Sequence, residues 1–99
     1  MRILRLPEFE VWVKSLDLKG QAQVDARILR IAQDGHFGDA RSLGGGLAEL
    51  RWKNGRRVYF AKAFDKDGTL LLLVLGGNKN GQTKDIKQAR VLLQRYAPT

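Results

Sequence analysis

Ninety-nine residues allow one domain with a single modest core. The chain has no cysteine, which excludes disulfides and thiolate metal sites; Met1–Pro7 lacks the apolar core of a signal peptide, and the longest apolar run, Leu70–Leu75, is too short to cross a bilayer. Eighteen Lys and Arg against ten Asp and Glu leave a net charge of +8, a field that attracts polyanions, nucleic acid first, with acidic proteins and anionic membranes behind it.

Arg2 to Leu6 alternates charged and apolar residues, the pattern of a short half-buried strand. Pro7 suits the first turn of a helix, and Phe9, Trp12, Val13 and Leu16 follow at helical spacing. Gly20 is read as the break, with a second helix beginning near Gln21. Val24, Ile28, Ile31 and Ala32 mark its buried stripe, Leu29 widens it, and Gly35 stands where a C-cap glycine belongs. His36 to Gly46, with Gly38 and the run Gly44-Gly45-Gly46, reads as a loop.

Leu47 to Lys53 and Arg57 to Phe64 read as strands, and Asp65-Lys66-Asp67-Gly68 as a turn. The unbroken aliphatic run Leu70–Leu75 is expected to be a strand covered on both faces. Gly76 to Gln82 reads as a second loop. Thr83 is a candidate cap for a last helix, with Ile86, Ala89 and Leu93 facing inward. The order is strand, helix, helix, strand, strand, strand, helix, with no internal repeat and no linker. It predicts one α+β domain over residues 1–99: a small antiparallel (mixed) sheet, an N-terminal helix pair on one face and a C-terminal helix.

Asn54-Gly55 marks a hairpin, and its register decides where the charges point. A two-residue loop would pair Lys53 with Arg56 and mix Arg51 with Val58 on one face. A three-residue loop over Lys53-Asn54-Gly55 pairs Trp52 with Arg56, Leu50 with Val58 and Ala48 with Phe60, an apolar face. Burial sets register, so the second is expected. The opposite face then carries Glu49, Arg51, Arg57 and Tyr59, with Arg51 and Arg57 as direct cross-strand neighbours. Like charges so placed are destabilising. They are tolerated if Glu49 and solvent screen them, or retained because an anion binds there. Because Arg57 shares no face with Val58 and Phe60, its removal is expected to leave stability unchanged or slightly higher. Lys79, just beyond the aliphatic strand, is placed to converge with both arginines.

The single histidine, His36, excludes a paired-histidine ribonuclease mechanism and reads as a loop residue. No His and carboxylate set has metal-ligand spacing. Gly76-Gly77-Asn78-Lys79-Asn80-Gly81 lacks the spacing and the Lys-Ser/Thr ending of a phosphate loop. An Arg, Lys and Tyr cluster remains. Such a set can cleave RNA, because the 2′-hydroxyl is itself the nucleophile and the cations stabilise charge developing on the phosphate. No cofactor and no metal are expected.

Three segments carry a resemblance. They are Gly38-Asp39-Ala40-Arg41-Ser42-Leu43-Gly44-Gly45-Gly46-Leu47-Ala48-Glu49-Leu50-Arg51; Arg57-Val58-Tyr59-Phe60; and Leu72–Leu75 followed by Gly76-Gly77-Asn78-Lys79, Gln82, Asp85 and Ile86. In this order and spacing they resemble the RelE/ParE toxin superfamily, most closely its HigB-like branch of addiction-module killer proteins. The resemblance implies a compact microbial-RNase-like fold and a cytoplasmic toxin neutralised by a cognate antitoxin, often of helix-turn-helix type. Many relatives cut mRNA on the ribosome without metal, whereas ParE-like members inhibit DNA gyrase and cleave nothing. By position, Arg51 and Arg57 match basic strand residues of RelE-like nucleases, and Lys79 falls near a catalytic arginine. Lys53, Arg56, Tyr59 and Lys84 are the expected RNA-binding residues around them. Arg56 stands where the branch has Tyr, Asn78 where it has Asp, and Asp85 near a base-stacking Tyr of some nucleases. Tyr59, Trp52 or Tyr96 would then have to stack on the base.

Overall fold

Capping decides where the helices begin and end in the computed structural model, which describes residues 1–66 and 68–96. The elements are β1 (Arg2–Arg5), α1 (Pro7–Ser15), α2 (Leu18–Asp34), β2 (Ala40–Gly44), β3 (Leu47–Arg51), β4 (Arg56–Asp65), β5 (Gly68–Asn78), a 3-10 turn (Lys79–Gly81) and α3 (Gln82–Tyr96). Pro7 opens α1 as expected. Asp17 caps α2 by accepting a hydrogen bond from the Gly20 amide at 2.8 Å. Gly35 ends it in the left-handed conformation, φ 68°.

Gly20 therefore does not break the chain; it is buried in the first turn of α2. Its role is space: a Cβ there would lie 2.9 Å from Asp17 Oδ1 and 3.0 Å from Arg56 Nη2.

Five strands form one sheet in the order β1-β5-β4-β3-β2, with β1 parallel to β5 and the other pairs antiparallel. The added strand is β2, where a loop was expected. The expectation failed because β2 is an exposed edge whose residues carry no burial period. Gly44 ends β2 and Gly45-Gly46 turn it into β3, all three at positive φ.

The second expected loop was also partly wrong. Gly76, Gly77 and Asn78 continue β5, opposite Val58, Arg57 and Arg56. Glycine is needed there because helices approach from both sides: a Cβ on Gly76 would lie 2.1 Å from the Trp12 ring, and one on Gly77 2.1 Å from Asp85 Oδ2. The cap ahead of α3 is Asn78, not Thr83. Its side chain accepts from the amides of Asn80 and Gly81 at 2.9 and 3.2 Å. Asp67, part of the expected turn after β4, lies outside the described residues.

The sheet has a core on each face. Phe9 and Val13 of α1 and Val24, Ile28 and Ile31 of α2 cover Leu50, Val58, Phe60, Leu71 and Leu73. On the other face Ala89 and Leu92 of α3, with Leu6, pack on Leu47, Tyr59, Ala61, Leu72, Val74 and Leu75. The β5 run is thus buried on both sides, as its unbroken pattern predicts. A bulge at Tyr59/Phe60, whose partners are Leu75 and Leu73, leaves Val74 unpaired. It turns Val74 and Leu75 together toward α3.

Candidate functional site

The hairpin has the expected register. Gly55, at φ 98°, donates to the Trp52 carbonyl at 3.1 Å, and the Trp52 amide donates to the Arg56 carbonyl at 3.0 Å. Leu50 then faces Val58 and Ala48 faces Phe60, while Glu49 faces Tyr59 and Arg51 faces Arg57. β2 and β5 extend these rows. Arg41 pairs with Glu49 and Leu75 with Tyr59, while Gly77 pairs with Arg57. The arginine pair therefore lies at the hairpin end of the sheet, on the face that α3 covers.

That covering makes the face a buried polar junction rather than a solvated surface. Glu49 is fully buried. Gln82, the first residue of α3, donates to both of its carboxylate oxygens at 2.9 Å. Arg41 Nη2 stands 3.3 Å and Arg57 Nε 3.9 Å from the same carboxylate. The Arg57 side chain is only 12% exposed, and its Nη1 donates to the carbonyls of Arg56 at 3.0 Å and Trp52 at 3.4 Å. Arg51 Nε lies 3.6 Å from Asp39 Oδ2. Each arginine thus has its own carboxylate, which offsets their cross-strand repulsion. The expectation that Arg57 is dispensable for stability is corrected on the same ground, since its loss would strip buried Glu49 of a cation.

Tyr59 lies beneath this junction with no exposed surface. Its hydroxyl has no hydrogen-bond partner among the described residues. Burial, reinforced by the nearby Asp85 and Glu49 carboxylates, pushes its phenol up to about 12. Burial also raises the Asp85 carboxyl. The ring of Tyr59 is therefore closed to base stacking in this conformation, a correction to its expected RNA contact. Trp52 is half-buried with the Arg27 guanidinium 4.4 Å over its ring, and Tyr96 is 47% exposed at the end of α3.

Arg27 does structural work. It donates to the carbonyls of Phe37, Asp39 and Arg51, binding the segment before β2 to the end of β3. Burial lowers its pKa. A groove of about 340 Å³ beside it is lined by Arg27, Arg30, His36, Phe37 and Trp52.

The remaining expected residues fall in three places. Lys79 is exposed just past β5. Its amide donates to the Gly55 carbonyl at 2.8 Å, and its stem runs over Gly55 at the hairpin turn. Lys53 is exposed in that turn and Lys84 on the first turn of α3. Arg56 leaves this face altogether. Its Nη1 donates to Gln23 Oε1 of α2 at 3.0 Å, so it braces the helix pair. Sequence reasoning missed Arg41 and Gln82 as members of the junction. The strand alternation that placed Glu49 beside Tyr59 was the one available signal. Among the described residues no three of His, Cys, Asp and Glu gather as metal ligands, and no helix is long and apolar enough to cross a membrane.

The fold matches a solved toxin. The chain is similar to a YoeB/ParE toxin from Agrobacterium tumefaciens with a TM-score of 0.60 at 14% identity, covering 79% of this chain and 98% of that one. It therefore has the RelE/ParE-like fold that the motifs implied. In sequence it is 43% identical over 89 residues to an uncharacterized protein of Haemophilus influenzae, covering 87% of this chain and 86% of that protein, and it belongs to the same family. No family model matches.

Proposed function

We propose that this protein is the toxin of a bacterial type II toxin–antitoxin pair, of the HigB-like branch, and a metal-independent endonuclease of mRNA on the ribosome. The observation that carries the reading is the Arg51–Arg57 pair, held at the hairpin end of a sheet with the fold of a solved toxin. In this chemistry the RNA 2′-hydroxyl gives up its proton to solvent as its oxygen attacks the adjacent phosphorus. The 2′-oxygen–phosphorus bond forms, the bond to the 5′-oxygen breaks, and a 2′,3′-cyclic phosphate and a 5′-hydroxyl result. Arg51 and Arg57 stabilise the extra negative charge on the phosphate in the transition state. Lys79, at the hairpin turn, is the ammonium assigned to protonate the leaving 5′-oxygen. Lys53 and Lys84 contact flanking phosphates, and the ribosome supplies substrate geometry. The partner is a cytoplasmic antitoxin of helix-turn-helix type that presents an acidic segment to this +8 chain.

Induction of the protein in cells followed by mapping of RNA 5′ ends tests the reading. New ends in phase with codons are expected. Intact transcripts with a DNA-damage response would replace it with gyrase inhibition, the activity of the ParE side of the superfamily. Harmless overexpression would leave a nucleic-acid-binding module without toxicity.

A further inference from the structure

Two of the motif residues that the proposed chemistry leaves unused, Glu49 and Gln82, meet in the structure. A carboxylate is almost never fully buried unless it is paired, and Glu49 is fully buried in a chain of net charge +8. Its pairing is directional. Gln82 Nε2 reaches both oxygens at 2.9 Å from the start of α3, which fixes the direction in which the carboxylate points. Arg41 of the edge strand approaches at 3.3 Å, and Arg57 Nε of β4 at 3.9 Å, as an ion pair without a hydrogen bond. One buried group therefore joins β2, β4 and α3. The hairpin carbonyls of Trp52 and Arg56 hold Arg57 from another side. A guanidinium so held is oriented before any ligand arrives, which is what charge stabilisation in a transition state requires. Arg41, 55% exposed at its side chain, is drawn to the same end of the sheet while keeping surface for a ligand.

We propose that Glu49, held by Gln82, is a positioning residue: it orients Arg57 for the phosphate and recruits Arg41 as a third cation of the same anion-binding surface. This rests on the reading of Arg57 as the phosphate-stabilising group. It differs from plain charge neutralisation in one respect. A neutralising carboxylate weakens anion binding and cleavage alike, whereas a positioning carboxylate opposes binding while promoting cleavage.

Glu49→Gln separates these. It preserves shape, and removing one carboxylate takes the net charge from +8 to +9. Binding of a short RNA oligonucleotide by the purified protein should be equal or tighter. Single-turnover cleavage on mRNA-programmed ribosomes should fall roughly ten- to a hundredfold, the scale of a misplaced reacting group. Gln82→Ala keeps every charge and should show a smaller loss of cleavage with unchanged RNA affinity. In both variants the Arg57 Nε–H proton, followed by NMR, should exchange with water faster than in the wild type. Undiminished cleavage by folded Glu49→Gln protein, or a parallel fall in binding and cleavage, would overturn the proposal. If circular dichroism shows that Glu49→Gln does not fold, Gln82→Ala decides on the same criteria. A wild-type protein that cuts nothing would sink the nuclease reading, and the Arg57 exchange rates would then decide positioning by themselves: rates unchanged in both variants overturn it.

Discussion

The two faces of the sheet are closed by different means. Under α1 and α2 the buried core is apolar, from Phe9 and Ile31 to Leu50, Phe60 and Leu73, with the polar contacts of Arg27 and Arg56 at its margin. Under α3 the contact begins apolar, with Leu72, Val74, Ala89 and Leu92, and becomes polar toward the hairpin, where Glu49, Arg57, Gln82 and Tyr59 meet. Two adjacent glycines mark the divide: Gly76 lies against the Trp12 ring and Gly77 against the Asp85 carboxylate. An apolar face can be packed from either helix and supplies stability without direction. A polar junction stabilises less, because desolvation opposes the pairing, but it holds charges in fixed orientation. The chain keeps its arginine pair on the second kind of face.

The largest expected effect that tests this contrast is at Arg57. Arg57→Ala should lower activity on the order of a hundredfold or more if the guanidinium stabilises the phosphate. It should also lower stability by about 1–3 kcal/mol, because buried Glu49 loses a cation and two carbonyls lose a donor. Growth under induction and urea melts of the purified variant measure the two. Stability equal to wild type would show that the junction does not depend on this ion pair.

On the apolar face the pattern should reverse. Leu50→Ala removes a fully buried side chain and should cost about 2–5 kcal/mol, while activity per folded molecule stays at the wild-type level. A folded Leu50→Ala protein with strongly reduced turnover would mean that the two faces are not separable in function.

The glycine pair sharpens the comparison. Gly76→Ala drives a methyl into a rigid indole and should cost about 1–3 kcal/mol of stability. Gly77→Ala meets the end of a carboxylate that can rotate, so thermal melts should show the smaller loss there. The opposite ranking would place the tighter packing under α3.

The smallest effect is expected at Tyr59. Its hydroxyl makes no hydrogen bond among the described residues, so Tyr59→Phe should change stability at pH 7 by less than about 1 kcal/mol. Activity should be retained, because the ring has no exposed surface. At alkaline pH the two proteins should part. The unfolded phenol ionises near pH ~10, whereas the folded one is raised to about 12 by burial first and by Asp85 and Glu49 next. The unfolded state therefore releases its proton first, and wild-type stability should fall as pH rises from about 10 to about 12. Tyr59→Phe should lack that component, seen as a difference between melts recorded across the window. Lost activity in folded Tyr59→Phe protein would instead return the ring to the substrate.

Residues close together in the chain made much of this architecture legible. Asn54-Gly55 announced the hairpin. The alternation around it selected one register, because a slip by one residue would exchange Glu49 and Arg51 with Leu50 across the sheet. Gly35 announced a helix end, and the Leu70–Leu75 run announced a strand buried on both faces. Errors arose wherever the deciding neighbour lies far along the sequence. Gly20 looks like a helix breaker until Arg56 arrives beside it, and Gly76-Gly77 looks like a loop until Trp12 and Asp85 close over it. Alternation assigned Tyr59 and Arg57 to a face but could not say what covers it. α3 docks there through Ala89 and Leu92, burying one residue and clamping the other. Arg56, one step from Arg57 in sequence, went to Gln23 on the opposite side. Backbone preference and side-chain period are local and can be read along the chain. Burial and the choice of partner depend on contacts between distant segments, which exist only once the helices have packed onto the sheet.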